Sequence, residues 1–430
     1  MPSLLSLTPW EMAFVCFVFA MIGLRRLAQF RLSQLNSRHV QAHAGCVPEA
    51  FRGVVDEPTY AKSVEYMRAN GRLSQVENSF DAVLLLVVLV SGVLPWAMAG
   101  FQNSFGASAW AMASWLFSVG VSLSLLRLPL DWYDQFRLEA RFGFNTTTPK
   151  TWWLDRVKGF LLAAVLGYPL LVLVLKLVEW TGRWWWLWAW GALLAFQFLM
   201  MILAPVLILP LFNKFTPLPE GSLRERLVKL AERTQFSARS IQVMDGSKRS
   251  RHSNAFFIGF GGFRKIVLFD TLVAQLAEAE LEAVLAHEIG HYKKKHIPKM
   301  LLWSALSSLT AFYAIAVLAR QDWFYRAFGF APGTVTPALL LFGLLAGVVT
   351  FWFSPLQNRW LRRYEYEADA FAAQVMDDPQ PLVSALRKLT EKNLSNLTPH
   401  PAYSRFYYSH PTLLERELAL QRSGCGFHPI

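Results

Sequence analysis

The sequence predicts a mainly α-helical, polytopic membrane protein with about seven transmembrane helices and a smaller cytoplasmic α+β domain. Three observations lead to this fold class. Hydrophobic residues make up 54% of the 430 residues and charged residues only 17%, a balance too apolar for a soluble enzyme of this length. The apolar residues are gathered into stretches of membrane-spanning length, and the basic residues concentrate on one side of them.

Each transmembrane element is predicted from its length, because crossing the hydrocarbon core takes about 20 largely apolar residues. The stretches that approach or meet this length are residues 10–24, 82–101, 107–130, 159–178, 184–212, 300–319 and 337–356. The first is short and carries Glu11 near its start. Its arginines follow the apolar run instead of preceding it, and no small-residue cleavage site comes after it, so we interpret it as a span and not as a signal peptide.

The distribution of basic residues orients these spans. The segment between the first two spans contains Arg25, Arg26, Arg31, Arg38, Arg52, Lys62, Arg68 and Arg72, whereas residues 102–106 contain no Lys or Arg. Because cytoplasmic loops carry the excess of basic residues, we expect residues 214–299 and 357–430 on the cytoplasmic side. This bias and anionic lipid headgroups explain the net charge of +12, so we expect contact with a lipid bilayer and no nucleic-acid partner.

The chain is therefore predicted to divide into four parts. Residues 1–213 form spans one to five with their cytoplasmic loops, residues 214–299 a soluble segment, residues 300–356 spans six and seven, and residues 357–430 a C-terminal cytoplasmic segment. The divisions follow changes from apolar to polar composition and the prolines and glycines near residue 214.

The soluble segment combines helices with a small sheet. A helix is predicted from Ser222 to about Thr234, followed by β-like runs at residues 240–244, 254–257 and 265–269 with a glycine-rich turn at 259–262. Asn254 and Ala255 open the middle run, our candidate for an edge strand that pairs with an extended peptide substrate. A purely structural hairpin explains the same pattern equally well.

The soluble segment ends with the pattern H-E-x-x-H at residues 287–291. On a helix His287 and His291 lie one turn apart on the same face, where their imidazoles can bind one Zn²⁺ while Glu288 reaches its bound water. The pattern predicts a zincin-like metalloprotease domain with one zinc ion per chain. A chance match on a solvated helix is the alternative, and a third ligand is needed to decide between them.

The third ligand is predicted just beyond the last span. Glu365 and Asp369 are four residues apart and share a helix face, so Glu365 can bind the metal while Asp369 accepts a hydrogen bond from a ligand histidine. Glu367 points elsewhere on the same helix and is predicted to be solvated. Such a pair is usually only a polar helix face, but downstream of H-E-x-x-H it completes a His₂Glu site with a fourth position for water.

Two residues near the C-terminus are further candidates. His410 precedes a helix whose N-cap is Thr412, and it could donate to a developing oxyanion. Arg416 in that helix could orient Asp369 or Glu365. His296, five residues past the motif, is off the face of the two ligands, so we interpret it as structural.

These residues resemble the integral-membrane zinc metalloproteases that act as CAAX prenyl endopeptidases. The resemblance covers nearly the whole chain and rests on blocks specific to that family: residues 214–219, 246–250, 252–255, 266–272, 287–291, 365–372 and 409–411.

The resemblance implies His287, His291 and Glu365 as metal ligands, Glu288 as catalytic base, Asn254 in substrate-strand binding, and His410 with Arg416 near the reacting carbonyl. It also implies seven helices around a large water-filled chamber, with the zinc site at its cytoplasmic end. The expected substrate is a peptide or protein cut near its C-terminus, and whether it must be prenylated is left open by the residues.

The location and two rival functions remain open at this stage. Residues 426–430 carry no endoplasmic-reticulum retrieval signal, which favours a bacterial or otherwise unsorted membrane. With the basic loops on the cytoplasmic side, we expect a bacterial inner (plasma) membrane with the active site facing the cytoplasm. One rival is a quality-control membrane protease of broad specificity. The other is a transporter or scaffold with a vestigial zinc site.

Overall fold

The computed structural model describes residues 7–236, 240–258 and 265–424. The glycine-rich turn predicted at 259–262 and the C-terminal residues 426–430 lie outside these described residues. The first half of the chain is almost entirely helical. Its helices are α1 (Pro9–Ala42), α2 (Glu57–Val90), α3 (Val93–Phe105), α4 (Ala109–Tyr133), α5 (Ala140–Phe142), α6 (Pro149–Leu162), α7 (Tyr168–Thr181), α8 (Trp185–Leu203) and α9 (Leu209–Phe212).

The second half begins with the soluble α+β part and then returns to long helices. The soluble elements are β1 (Phe215–Pro217), α10 (Ser222–Arg233), β2 (Ser240–Met244), β3 (Ala255–Ile258), β4 (Lys265–Phe269), α11 (Asp270–Gln275) and α12 (Glu278–Lys293). They are followed by α13 (His296–Leu318), α14 (Asp322–Arg326), α15 (Thr336–Thr350), α16 (Ser354–Met376), α17 (Gln380–Lys392), α18 (Pro401–Tyr407) and α19 (Leu413–Gly424).

Within the described residues, 6 helical runs are long and apolar enough to cross a membrane: Pro9–Ala42, Glu57–Val90, Ala109–Phe142, Pro149–Phe212, His296–Leu318 and Thr336–Met376. The run Pro149–Phe212 has 64 residues and holds two of the predicted spans. It turns back on itself at Gly182–Trp184, so that α7 and α8 pack side by side. Each predicted apolar stretch therefore overlaps one of these runs.

The boundaries of the first two spans differ from the prediction. α1 continues past residue 24 to Ala42, and the predicted span 82–101 is broken at Ser91–Gly92, where Gly92 has φ 70°. A left-handed residue interrupts the helix there, which hydropathy alone does not reveal. Glu11 has a structural role at the start of the first span, where it forms a capping box with Thr8. Its carboxylate accepts from the Thr8 N–H at 2.8 Å, and the Thr8 hydroxyl accepts from the Glu11 N–H.

The helical spans expose apolar surface outward and enclose space inside. Trp188, Ile202 and Leu302 are exposed along the spans, as expected of side chains that face lipid. A cavity of 700 Å³ lies between α1, α2 and the segment around α18. Another, of 480 Å³, is lined by residues of α2, the 390–397 segment and residues 407–414. The second cavity reaches His410.

The soluble part has its own core around a four-stranded sheet of order β1-β2-β4-β3. β2 and β4 are parallel, while β1 pairs with β2 and β3 pairs with β4 in antiparallel fashion. Leu227 and Leu230 of α10 pack with Ile266 and Leu268 of β4 and with the buried face of α12. The three predicted strands are confirmed, whereas the short β1 was not anticipated. This core fixes the position of α12 beside the sheet.

Candidate active site

Helix α12 carries the H-E-x-x-H pattern and is held firmly at its start. The Glu280 carboxylate accepts from the Ala277 N–H at 2.7 Å, from the Ser384 hydroxyl at 2.6 Å and from the Lys388 ammonium at 2.8 Å. Burial acts to raise the pKa of Glu280, but these hydrogen bonds outweigh it and lower the pKa. The first turn of α12 is thereby tied to α17 as well as to its own backbone.

Helix α16 approaches α12 closely at Gly290. A Cβ atom at residue 290 would lie 3.0 Å from both the Cα and the carbonyl oxygen of Ala368, and 3.2 Å from a ring carbon of Phe371. Only glycine leaves room for this contact between the two helices. The contact places Glu365, one turn before Ala368, opposite the two histidines.

His287, His291 and Glu365 bring their side-chain ends together. The two Nε2 atoms are 3.1 Å apart, and the Glu365 oxygens lie 3.5 Å from His287 Nε2 and 3.4 Å from His291 Nε2. A tetrahedral ion with ligand bonds of about 2.0–2.1 Å separates its ligand atoms by about 3.3 Å. Glu365 Oε2 is also buried without a hydrogen-bond partner. Spacing, donor chemistry and the orphaned oxygen all fit a bound divalent metal.

Asp369 and Arg416 support His287 from behind. Asp369 Oδ1 lies 2.8 Å from His287 Nδ1, and the guanidinium of Arg416 binds both oxygens of Asp369 at 2.8 and 2.6 Å. Arg416 Nη2 also lies 3.4 Å from His287 Nδ1. Since Arg416 can only donate, this short approach reflects two donors that share Asp369 Oδ1. The arrangement places the proton of His287 on Nδ1 and leaves Nε2 for a metal.

The charges around the ligands favour cation binding. Burial acts to lower the pKa of His287, but the neighbouring carboxylates of Asp369 and Glu365 outweigh it and raise the pKa to about 9 in the metal-free protein. A metal ion that binds there must therefore displace a proton. Burial raises the pKa of Glu288, and the neighbouring histidines oppose this effect. A carboxylate with a raised pKa is suited to accept and return a proton.

His410 reaches the same cluster from the loop before α19. Its Nε2 lies 3.4 Å from Glu365 Oε1, and its Nδ1 lies 2.9 Å from the Ser409 hydroxyl. Its side chain is 64% exposed, so it borders open space. Thr412 and Glu415 form the reciprocal cap of α19, as the sequence predicts for Thr412. This cap fixes the loop that presents the imidazole.

Asn254 and Ala255 lie at the start of β3, which is the terminal strand of the sheet. β3 pairs with β4 on one side and packs near α12. Asn254 is exposed, and its side-chain oxygen accepts from the Ala255 N–H at 2.8 Å. The predicted edge position of this strand is thus present in the fold, next to the helix that carries the histidines.

Sequence reasoning missed the surroundings of His291. The prediction that Glu367 is solvated is only partly met: its side chain is 27% exposed, but one oxygen lies 3.0 Å from His296 Nε2 and the other accepts from Arg363 at 2.9 Å. His296 lies 3.0 Å from His291 Nδ1, although it belongs to the next helix. Helical spacing did not reveal this contact, because α12 ends at Lys293 and the left-handed Lys295 (φ 56°) separates it from α13, so the two histidines are not on one continuous helix.

Comparison with known proteins identifies the family. Residues 36–214 match the family described as "CAAX prenyl protease N-terminal, five membrane helices", and residues 217–423 match "Peptidase family M48". CAAX prenyl protease 1 of Saccharomyces cerevisiae is 35% identical over 96% of this chain and 95% of its own length. The chain belongs to the CAAX prenyl protease 1 family.

Other members extend this result. The CAAX prenyl protease 1 homolog of Homo sapiens is 31% identical over 87% of this chain and 88% of its own length. The crystal structure of S. mikatae Ste24p superposes with a TM-score of 0.86 at 34% identity, covering 96% of this chain and 99% of that one. As a member of this family the chain is a metalloendopeptidase embedded in a membrane by several helices. The predicted fold class is confirmed.

Proposed function

We propose that the chain is a zinc endopeptidase that cuts near the C-terminus of prenylated CAAX-type proteins, with its active site at the cytoplasmic face. The observation that carries the metal chemistry is the convergence of His287, His291 and Glu365 at mutual distances of 3.1 to 3.5 Å. The substrate class is supported by the name shared by its relatives, CAAX prenyl protease 1. Two nitrogens and a carboxylate oxygen are a ligand set typical of catalytic zinc.

In this mechanism His287, His291 and Glu365 would hold a divalent ion, which would supply Lewis-acid activation of water and of the peptide carbonyl. Glu288 takes the proton of the attacking water and returns it to the leaving amine. His410 donates a hydrogen bond to the oxyanion that develops at the carbonyl. Asp369 and Arg416 keep His287 in the tautomer that leaves Nε2 unprotonated.

The substrate is proposed to bind as an additional strand. The outer edge of β3, opened by Asn254 and Ala255, offers backbone groups to an extended peptide that lies alongside α12. Backbone pairing supplies affinity without regard to side chains. The cavity that reaches His410 then provides a route by which a chain end can approach the site.

The cytoplasmic orientation rests on the basic residues between the first two spans, such as Arg38 and Arg52. Prenylated cytoplasmic proteins would meet the active site on that side. A bacterial inner membrane stays a prediction from the sequence. In such a membrane the substrate would be a similar peptide without a prenyl group.

The proposal is tested with a farnesylated CAAX peptide beside its unprenylated twin, using purified protein in detergent or vesicles. We expect zinc-dependent release of the last three residues from the farnesylated peptide only. Glu288→Gln should lower kcat by about 10²–10⁴ while zinc stays bound. Glu282→Gln, the same change on the same helix, is the matched control and should retain turnover, since Glu282 pairs with Arg226 outside the site.

The other outcomes separate the rivals. Equal cleavage of both peptides would favour a quality-control protease of broad specificity. Cleavage of neither peptide together with less than one zinc ion per chain would favour a transporter or scaffold. Turnover unchanged in Glu288→Gln would exclude this residue as the base.

A further inference from the structure

His296 occupies a position that the proposed chemistry leaves unexplained. It is the first residue of α13 and only 1% exposed. Its Nδ1 lies 3.0 Å from Nδ1 of His291, and its Nε2 lies 3.0 Å from Oε2 of Glu367. Its ring stacks on Tyr364 with centroids 4.1 Å apart and an interplanar angle of 14°. A buried imidazole with both nitrogens engaged and its ring stacked has one orientation.

The hydrogen-bond chemistry allows one arrangement of protons when His291 is a ligand. Nε2 of His291 must then be unprotonated, so the proton of its ring sits on Nδ1. His296 Nδ1 must accept that proton's hydrogen bond, which places the proton of His296 on Nε2. Glu367 Oε2 accepts from that Nε2–H. In this arrangement each of the two contacts, His291 to His296 and His296 to Glu367, has one donor and one acceptor. The opposite arrangement would leave His291 Nε2 protonated.

We propose that His296 and Glu367 form a positioning relay for His291, in which Nδ1–H of His291 donates to His296 and Nε2–H of His296 donates to Glu367. The relay fixes the tautomer and the ring orientation of His291. Arg363, which donates to the other oxygen of Glu367 at 2.9 Å, ends the relay at the surface.

The relay gives the two ligand histidines separate supports of different kinds. His287 is held by the fully buried Asp369 and the guanidinium of Arg416. His291 is held by the imidazole of His296, which in turn contacts the carboxylate of Glu367. That carboxylate is therefore separated from the ligand histidine by one ring, and its side chain is 27% exposed. Groups that orient a ligand histidine typically change metal affinity by 10–100-fold when removed. Both supports are expected to affect the affinity of the site for the metal.

This inference rests on the proposed zinc site, so the experiment measures metal binding directly. The Kd for Zn²⁺ is determined by competition with a chelator for the parent protein, His296→Leu and His296→Asn. Leucine and asparagine have similar size, but the Asn side-chain oxygen can accept from His291 near the position of Nδ1. We expect His296→Leu to weaken Zn²⁺ binding by about 10–100-fold and His296→Asn to recover most of the loss.

His252→Leu is the matched control. His252 is also stacked on an aromatic ring, Phe144, with centroids 4.1 Å apart, and its Nε2 lies 3.3 Å from a carboxylate oxygen of Glu139. No contact joins His252 to the ligand histidines among the hydrogen bonds of the described residues. Its loss should therefore leave the Kd for Zn²⁺ unchanged.

The outcomes show whether the relay alone fails or whether the proposed zinc site fails with it. A Kd for His296→Leu within twofold of the parent, or an equal loss in His252→Leu, would overturn the relay. If His296→Leu does not fold, Glu367→Ala decides, since that side chain is partly exposed; an unchanged Kd would overturn the relay. A parent protein that binds less than one Zn²⁺ per chain would overturn the proposed function together with the relay.

Discussion

The contact at Gly290 predicts a substitution that damages metal binding more than stability. Replacing Gly290 with alanine adds a Cβ 3.0 Å from the Cα and carbonyl oxygen of Ala368. Carbon atoms in favourable contact are about 3.5–4.0 Å apart, so α16 must move away from α12 by about 0.5 Å. Metal sites tolerate errors of only about 0.2 Å in ligand distances. Glu365, one turn before Ala368 on α16, would leave that range.

The cost in folding free energy should be smaller than the effect on the site. Overpacking of this kind costs about 1–3 kcal/mol. Alanine recovers about 1 kcal/mol through its higher helix propensity. We therefore expect Gly290→Ala to lose at most about 2 kcal/mol of metal-free stability, to bind Zn²⁺ at least about 10-fold more weakly and to lose peptide hydrolysis in parallel.

The assay combines denaturant unfolding in EDTA with Zn²⁺ competition and peptide hydrolysis. Gly23→Ala in α1 is the control, because an added Cβ there meets nothing within 4 Å. It should keep both the Kd and the hydrolysis rate. A Gly290→Ala protein with the parent's Kd and rate would refute the idea that this helix contact sets the position of Glu365.

Further predictions follow from the charged groups around the site. Because the pKa of Glu280 is lowered in the folded state, its ion pair contributes stability above the unfolded pKa of about 4.3, and this stability is lost as the pH falls through the lower folded pKa. Glu280→Gln should therefore unfold at lower denaturant concentration than the parent at pH 7, with the difference shrinking below pH ~4; a constant difference would contradict the assignment. Arg416→Met leaves the carboxylate of Asp369, which is 1% exposed, without its guanidinium partner and should cost about 3–5 kcal/mol in metal-free unfolding. Arg326→Met removes a guanidinium from the carboxylate of Asp322, which is 64% exposed, and should cost clearly less; equal losses would argue against burial as the cause. Finally, EDTA should lower the Tm of the parent protein. Zn²⁺ at about 100 times its Kd should raise the free energy of unfolding of the metal-free protein by about 2.7 kcal/mol.

The sequence determined the features that depend on short-range patterns. Spans follow from the length of apolar stretches, because each must satisfy its backbone hydrogen bonds internally within the bilayer. The pairing of His287 with His291 follows from one helical turn, and the cap at Thr412 follows from Glu415 three residues later. These relations are local, and no other part of the chain is needed to establish them.

The resemblance to a known family predicted roles for residues that periodicity alone did not assign. The roles of Asn254 and His410 were open on their residue types alone, since most histidines before a helix cap are structural. The structure brings His410 within 3.4 Å of Glu365 and places Asn254 at the start of an edge strand. Their catalytic and binding roles stay predictions.

Tertiary structure alone decided the contacts that join distant parts of the chain. Glu365 meets the histidines because Gly290 lets α16 approach α12, a matter of packing distance that residue spacing does not encode. The sequence pattern predicts a structural role for His296 because it lies off the face of α12, yet with the left-handed Lys295 between α12 and α13 its Nδ1 lies 3.0 Å from His291 Nδ1. A residue in the left-handed region ends the helical periodicity on which such a prediction depends. For this reason the candidate ligands could be named from the sequence, while the groups that contact them required the fold.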